Sequence, residues 1–424
     1  MGPPRCASST ILRSKRIGGF VRQILRKTQI QSKPIAGNQN DSAAVGSLRL
    51  SRQLLFFAIA LFALALRLTT LFIPHNEADE VIYLTLADKV SNNFFDYTLQ
   101  GSPLLAKLPQ GTYNHPIFLR PPLFVYLLAF FGIFHAQIFL PLLSGLAALW
   151  TTSAIAMRLS KPGDQSILSC LVLSFCPILL FSSVRILIDI VLALLVSLSV
   201  LMTMLAVDKG KNSIFAMAGL IFGLAVLTKE AAVLILPVLL YLILRDRVNR
   251  QNLISIASFA IAALLISTPW FFYFYKVTGS FVRGGINAEI LQLPFIKMAV
   301  ERSWYFYFLH VALISPIYLF GYLEIIERLR KRESLLEVIW VFSYFIPLTL
   351  YGLMGNSYQT RFILPAVPAL ALLTAASLHR QKRWAQWTAA VLLAYELLTG
   401  ILNTVVFKLA DVFSPFQFLI ELMS

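Results

Sequence analysis

Charge, cysteine and histidine are all scarce in this sequence. Only 13% of its 424 residues are Asp, Glu, Lys or Arg, against 58% that are hydrophobic. A soluble domain carries about a quarter charged residues. Mean hydropathy is +0.74, and apolar runs long enough to cross a bilayer recur along the chain. These features exclude an ordinary soluble globular protein and point to a polytopic membrane protein. The three cysteines, Cys6, Cys170 and Cys176, give no disulfide framework, and the CLVLSFC spacing of the last two is not CxxC. Five histidines without an HxxxH spacing give no metal motif. P-loop, GxGxxG and GxSxG patterns are absent, so nucleotide-driven and hydrolase chemistry have no motif to rest on. Acid is scarcest at the start: residues 1–53 hold ten Lys/Arg and one acid, Asp41. Such an arm reads as a flexible cytoplasmic topology signal ahead of a first membrane helix, rather than a nucleic-acid binder. Its Ser-rich, acid-poor composition also suits a removed targeting peptide.

What is present is a membrane domain over residues 54–424, with hydrophobic segments at roughly 54–73, 137–157, 166–183, 187–206, 213–228, 231–244, 252–274, 304–323, 335–354, 361–378 and 385–407. That makes about 11 transmembrane helices. One further run, LFVYLLAFFGIF from Leu123 to Phe134, has twelve residues, too few for a core about 30 Å thick. It reads as an interfacial or re-entrant helix. With that run not spanning and the N-terminus cytoplasmic, the basic turns MRLSK, DKGK, RDRVNR, ERLRKR and HRQKR all fall on the inside. The outer loops then hold single ionisable residues at helix mouths, a pattern that marks functional cavities. The first outer loop, 74–136, contains ADEVIYLTLADKVSN, whose spacing suits a short amphipathic helix at the membrane surface.

Five places in those outer loops can carry chemistry. Asp79 and Glu80 serve either as a negative first turn of a helix or as a general base whose pKa a low-dielectric boundary would raise. Arg185 and Asp189 stand four apart in RILID, which would put them on one helix face. Asp189 opens a long apolar run, where a carboxylate is costly without a polar partner. Lys229, in a very short turn, can receive a phosphate as a point charge. Arg361 either snorkels to headgroups or clamps a phosphate. His115 and Arg120 flank an aliphatic stretch in NHPIFLRPPL, where a lone histidine is more often a loop hydrogen-bonder than a metal ligand.

The stretches ADEVIY, LRPPLFVYLLAFFGIF, SVRILIDIVLAL, GLAVLTKEAAVLILP and TRFILPAVPALALL occur in that order from about residue 54 to about 380. Together they resemble the GT-C membrane glycosyltransferases, specifically the dolichyl-phosphate-mannose-protein mannosyltransferase superfamily that includes the aminoarabinose transferases. The resemblance implies an all-α, GT-C-like membrane fold with juxtamembrane helices in the first outer loop. It implies sugar transfer from a polyprenyl-phosphate donor to an acceptor hydroxyl of a lipid, glycan or protein. The site would face outward, in most simply a bacterial plasma membrane. Asp79 would match the catalytic aspartate, with Glu80 and Tyr83 completing a DExxY-like signature and Asp189 as second acidic position. Arg361, Lys229 and Arg185 would receive the donor phosphate, and Tyr83, His115 and Arg120 would line the first-loop side. Phe118 and Leu119 precede Arg120 where some members carry acidic or histidine ligands, so no metal ligand is assigned and a divalent ion stays open. No nucleotide or nucleic acid is implied. A lipid flippase or transporter, and a non-catalytic membrane scaffold, are the rival classes; repeated halves, the mark of many transporters, are absent from the sequence.

Overall fold

The computed structural model describes residues 54–403 apart from 56, 69–77, 109–112, 160–162, 246–249, 280, 282–303, 355–358 and 382. The basic arm 1–53, the carboxylate of Glu77 and most of the loop after Tyr275 therefore lie outside the described residues. The chain divides into two units, Met1–Leu54 and Leu55–Ser424, and everything below concerns the second.

The described residues hold helices and no strands, and each of the eleven expected segments contains helix. Among the described residues, five helices are long and apolar enough to cross a membrane: Phe139–Arg158, Ile188–Lys209, Asn252–Thr278, Leu336–Leu353 and Thr360–Arg380. The pair Asp164–Phe175 and Pro177–Val184 is one apolar run bent by 61°. The bend has a covalent cause. Pro177 lacks an amide hydrogen and drives the preceding Cys176 out of the helical region, to φ −56, ψ 117. The expected segment 304–323 is likewise not continuous. It breaks after Ile314 at Ser315 and Pro316 and restarts at Tyr318, a correction that Pro316 explains in the same way.

The helix Leu123–Gly132 has ten residues, about 15 Å at 1.5 Å per residue. It is too short to span, as the charge argument required. It packs on the helix Ala78–Asn92. Tyr83 meets both Phe118 and Phe124 edge-on, with ring centroids 6.5 and 5.0 Å apart. Tyr97 donates to the carbonyls of Arg120 and Pro121 and stands edge-on to Trp270 at 5.4 Å. The first loop is thus tied to itself and to the helix Arg250–Thr278.

Close helix approach is built with small residues, as in other membrane bundles. A Cβ at Gly219 would lie 2.1 Å from the Phe259 carbonyl, and one at Gly223 would lie 2.0 Å from Ile266 Cγ2. The helix Asn212–Thr228 therefore packs against Arg250–Thr278 nearly backbone to backbone. The segment Thr360–Arg380 is 89% buried over its apolar window, and it carries Arg361 at its start.

Candidate active site

Three helix starts bring charge to one place. At each, an extended residue precedes a new helical turn: Leu187 (φ −117, ψ 139), Lys229 (φ −157, ψ 138) and Gln359 (φ −128, ψ 132). Asp189 occupies the first turn of Ile188–Lys209, and Asp79 the first turn of Ala78–Asn92, where amide dipoles favour a carboxylate.

Four residues then meet from four elements. Arg361 Nη2 lies 2.5 Å from Asp79 Oδ2, and its Nε lies 3.7 Å from Asp189 Oδ2. Lys229 Nζ lies 2.7 Å from Asp189 Oδ1, so Asp189 stands between the two cations. Arg361 Nε also donates to Gln359 Oε1 at 2.9 Å, and Lys229 Nζ sits 4.1 Å from the centre of the Phe362 ring. Asp189 is buried, while the Lys229 and Asp79 side chains keep 17% and 23% of their exposure. The cluster is thus partly open at Lys229 and Asp79.

Arg120 closes the set from the first loop. Its Nη1 donates to the Tyr83 hydroxyl at 2.5 Å, and its charge acts on Asp79. Burial works to raise the Asp79 pKa, but Arg361, Arg120 and Lys229 overcome it and hold the carboxyl down at about 2. This corrects the expectation of a raised pKa at a low-dielectric boundary: three cations outweigh the loss of water. Burial raises the Tyr83 hydroxyl well above its ordinary range, so Tyr83 stays protonated and serves as a hydrogen-bonding group.

The other expected residues lie apart from these four. Arg185 and Asp189 do not share a helix face, because the helix Pro177–Val184 ends before Arg185, which is extended at φ −110, ψ 149. Arg185 turns instead to Glu80, Nη1 to Oε2 at 3.1 Å, while Glu80 Oε1 accepts from the Ile186 amide at 2.9 Å. Both side chains are almost wholly buried, at 2% and 0% exposed. Glu80 is therefore an anchor that fastens the first-loop helix to the break between two membrane helices, with both oxygens engaged. His115 offers its carbonyl to Thr98 at 2.6 Å, and among the described residues its imidazole has no ion pair with the cluster. No three His, Cys, Asp or Glu side chains converge among the described residues, and Phe118 is buried against Tyr83. Gln359 and Phe362 join the site without having been expected. The sequence marks them only by their nearness to Arg361.

Residues 119–272 match the family model described as dolichyl-phosphate-mannose-protein mannosyltransferase. An uncharacterized protein of Aquifex aeolicus is 27% identical over 246 residues, covering 54% of this chain and 46% of the relative. Among solved structures, ArnT from Cupriavidus metallidurans bound to undecaprenyl phosphate aligns with a TM-score of 0.60 at 20% identity, over 84% of this chain and 66% of that one. ArnT in the apo state aligns at 0.58 and 20% identity, over 86% of this chain and 66% of that one. The Archaeoglobus fulgidus oligosaccharyltransferase aligns at 0.51 and 15% identity, over 84% of this chain and 55% of that one. The chain thus spans about half the length of the curated relative and two thirds or less of these structures. Family match and architecture agree: the chain is an integral, multi-pass membrane protein with the fold of the GT-C glycosyltransferases, the group its motifs resemble.

Proposed function

We propose that the protein is a membrane glycosyltransferase that moves a sugar from a polyprenyl-phosphate donor to an acceptor hydroxyl on the outer face of a membrane, in most simply a bacterial plasma membrane. One observation carries the reading. Among the described residues the cations Arg120, Lys229 and Arg361 gather around two carboxylates, Asp79 and Asp189, so that positive charge outnumbers negative there by one. That excess fits a lipid-linked phosphate. ArnT, whose fold this chain shares, has been solved with undecaprenyl phosphate bound.

In the reaction, the acceptor oxygen attacks the anomeric carbon and its proton passes to the Asp79 carboxylate. The bond from the anomeric carbon to the phosphate oxygen breaks, and its electron pair leaves with the phosphate. Arg361 and Lys229 neutralise that leaving group, while Asp189 holds both cations in place. In-line displacement inverts the anomeric centre. A carboxylate held at about 2 is a weak base. Donor phosphate would draw Arg361 away from Asp79, and burial would then raise the basicity of the carboxylate. The donor thus prepares its own general base. Glu80 and Arg185 act on this site by holding the Asp79 helix.

The reading is tested by titrating undecaprenyl phosphate into the purified full-length protein and following thermal unfolding. Saturable stabilisation that disappears in Arg361→Ala and Lys229→Ala supports it. A wild-type protein indifferent to the lipid phosphate would overturn the donor assignment. A flippase would share the binding but give no transfer of labelled sugar.

A further inference from the structure

A second polar cluster lies within the bundle, away from the residues above, where the two broken helices meet. Glu396, on the helix Arg383–Ile401, is fully buried. Its Oε1 accepts from the Ile317 amide at 3.3 Å, just past the break at Ser315 and Pro316. Its Oε2 has no hydrogen-bond partner, and no basic side chain pairs with it among the described residues. Ser315 Oγ lies beside the carboxylate, and the Tyr318 hydroxyl and the Cys176 thiol adjoin it. Thr399 stands three residues on, on the same helix face. The hydroxyls of Ser315, Tyr318 and Thr399 are each buried without a hydrogen-bond partner in the described structure. On the other side, Gly400 lets this helix pack on Pro177, whose Cα would be 3.6 Å from an added Cβ.

A carboxylate buried in a membrane without a positive partner is costly and marks a functional position. Glu396 Oε2 and these buried hydroxyls keep lone pairs that no protein donor takes up, which leaves them for a positively charged ligand. All are hard donors, and two unwound helix breaks border them, the construction with which membrane proteins hold small cations. One carboxylate matches a single positive charge, whereas divalent ions gather more carboxylates.

We propose that Glu396, Ser315, Tyr318 and Thr399 form an intramembrane site for a monovalent alkali cation, with sodium as the fitting ion. The cation would bridge the breaks at Cys176–Pro177 and Ser315–Ile317. Through the half-helix Pro177–Val184 it would stiffen the segment that ends at Arg185 and its anchor Glu80. This inference does not depend on the sugar-transfer reading.

The test uses purified full-length protein at fixed pH and ionic strength, with sodium replacing choline. Thermal unfolding and binding of radioactive sodium are followed together. The expected result is a saturable rise in Tm with sodium and stoichiometric binding, both lost in Glu396→Gln. Thr399→Val and Ser315→Ala keep the carboxylate and should weaken apparent sodium affinity about tenfold, or about 1.4 kcal/mol. They keep the proposal testable if the Gln variant does not fold. Equal Tm in sodium and choline for the wild type would overturn it. So would a wild type that responds to pH but to no alkali ion, because the carboxyl would then be neutralised by a proton.

Discussion

Two dense charge networks among the described residues are built on opposite rules. One joins the helices Tyr318–Lys331, Leu336–Leu353 and Val367–Arg380. There Arg328 donates to Glu324 at 2.8 Å and to Glu337 at 2.7 Å, and Arg380 pairs with Glu324 and reaches Glu327. Glu324 and Glu337 are buried and Arg328 nearly so. The set also includes Glu333 and Lys331, so acids outnumber bases by one, and the surplus sits at the exposed rim. The other network is the Asp79 cluster. Its bases outnumber its acids, its carboxylates are shared between cations, and it is partly open at Lys229 and Asp79. The first satisfies its buried members with protein alone. The second leaves positive charge for something else. Burial of ions does not separate structure from function, but the sign and exposure of the charge left over does.

Substitutions can break this contrast, and the largest effect is expected at Asp79. Asp79→Asn should lower sugar transfer by a factor of about 10² to 10⁴ while leaving lipid-phosphate binding intact. Next is Arg328→Ala in the other network. It leaves the buried Glu337 without its cation and Glu324 with Arg380 alone, and should cost about 3–5 kcal/mol of stability, seen as a large drop in Tm. A binding titration should then find donor affinity unchanged in the protein that survives. Arg361→Lys should do the reverse, with little loss of Tm and at least a tenfold rise in donor KM, because a point charge cannot serve Asp79, Asp189 and a phosphate at once.

A smaller effect concerns pH. Asp79 is held at about 2, against an ordinary value of 3.8. A depressed carboxylate contributes stability above its unfolded pKa and loses it as pH falls through the folded one. The Tm difference between wild type and Asp79→Asn should therefore be constant above about pH 5 and shrink between about pH 4 and pH 2. A difference that instead shrinks near pH 6 would show that the three cations do not control the carboxyl. The smallest effect is expected for Tyr83→Phe, which removes one hydrogen bond to Arg120. A loss near 1 kcal/mol, read as a few-fold change in KM, would fit a positioning role.

Much of this was legible in the sequence, because hydropathy and basic turns report directly on what faces lipid and what faces water. The placement of Leu123–Gly132 as a non-spanning helix came from its length and from the side on which it puts the basic turns. The choice of Asp79, Asp189, Lys229 and Arg361 came from polar residues that interrupt apolar runs at helix mouths. What could not be read was pairing. Asp79 and Arg361 are 282 residues apart and Glu80 and Arg185 are 105 apart, and no local pattern reports which anion meets which cation. That is why Arg185 reads as a partner of Asp189 in RILID, when an extended break turns it to Glu80. The raised pKa expected for Asp79 failed for the same reason, since burial was visible in the sequence and the three surrounding cations were not. The breaks at Pro177 and Pro316 were within reach, because each proline stands inside an apolar run that a continuous helix would otherwise occupy.

The most direct test of the central claim is transfer of labelled sugar from native polyprenyl-phosphate donors in membranes, comparing wild type with Asp79→Asn at matched expression. The account predicts transfer by the wild type that collapses in the variant while both still bind lipid phosphate. Equal transfer by both proteins would contradict the role given to Asp79, and lipid-phosphate binding without transfer by the wild type, in the presence of native acceptors, would contradict the glycosyltransferase itself.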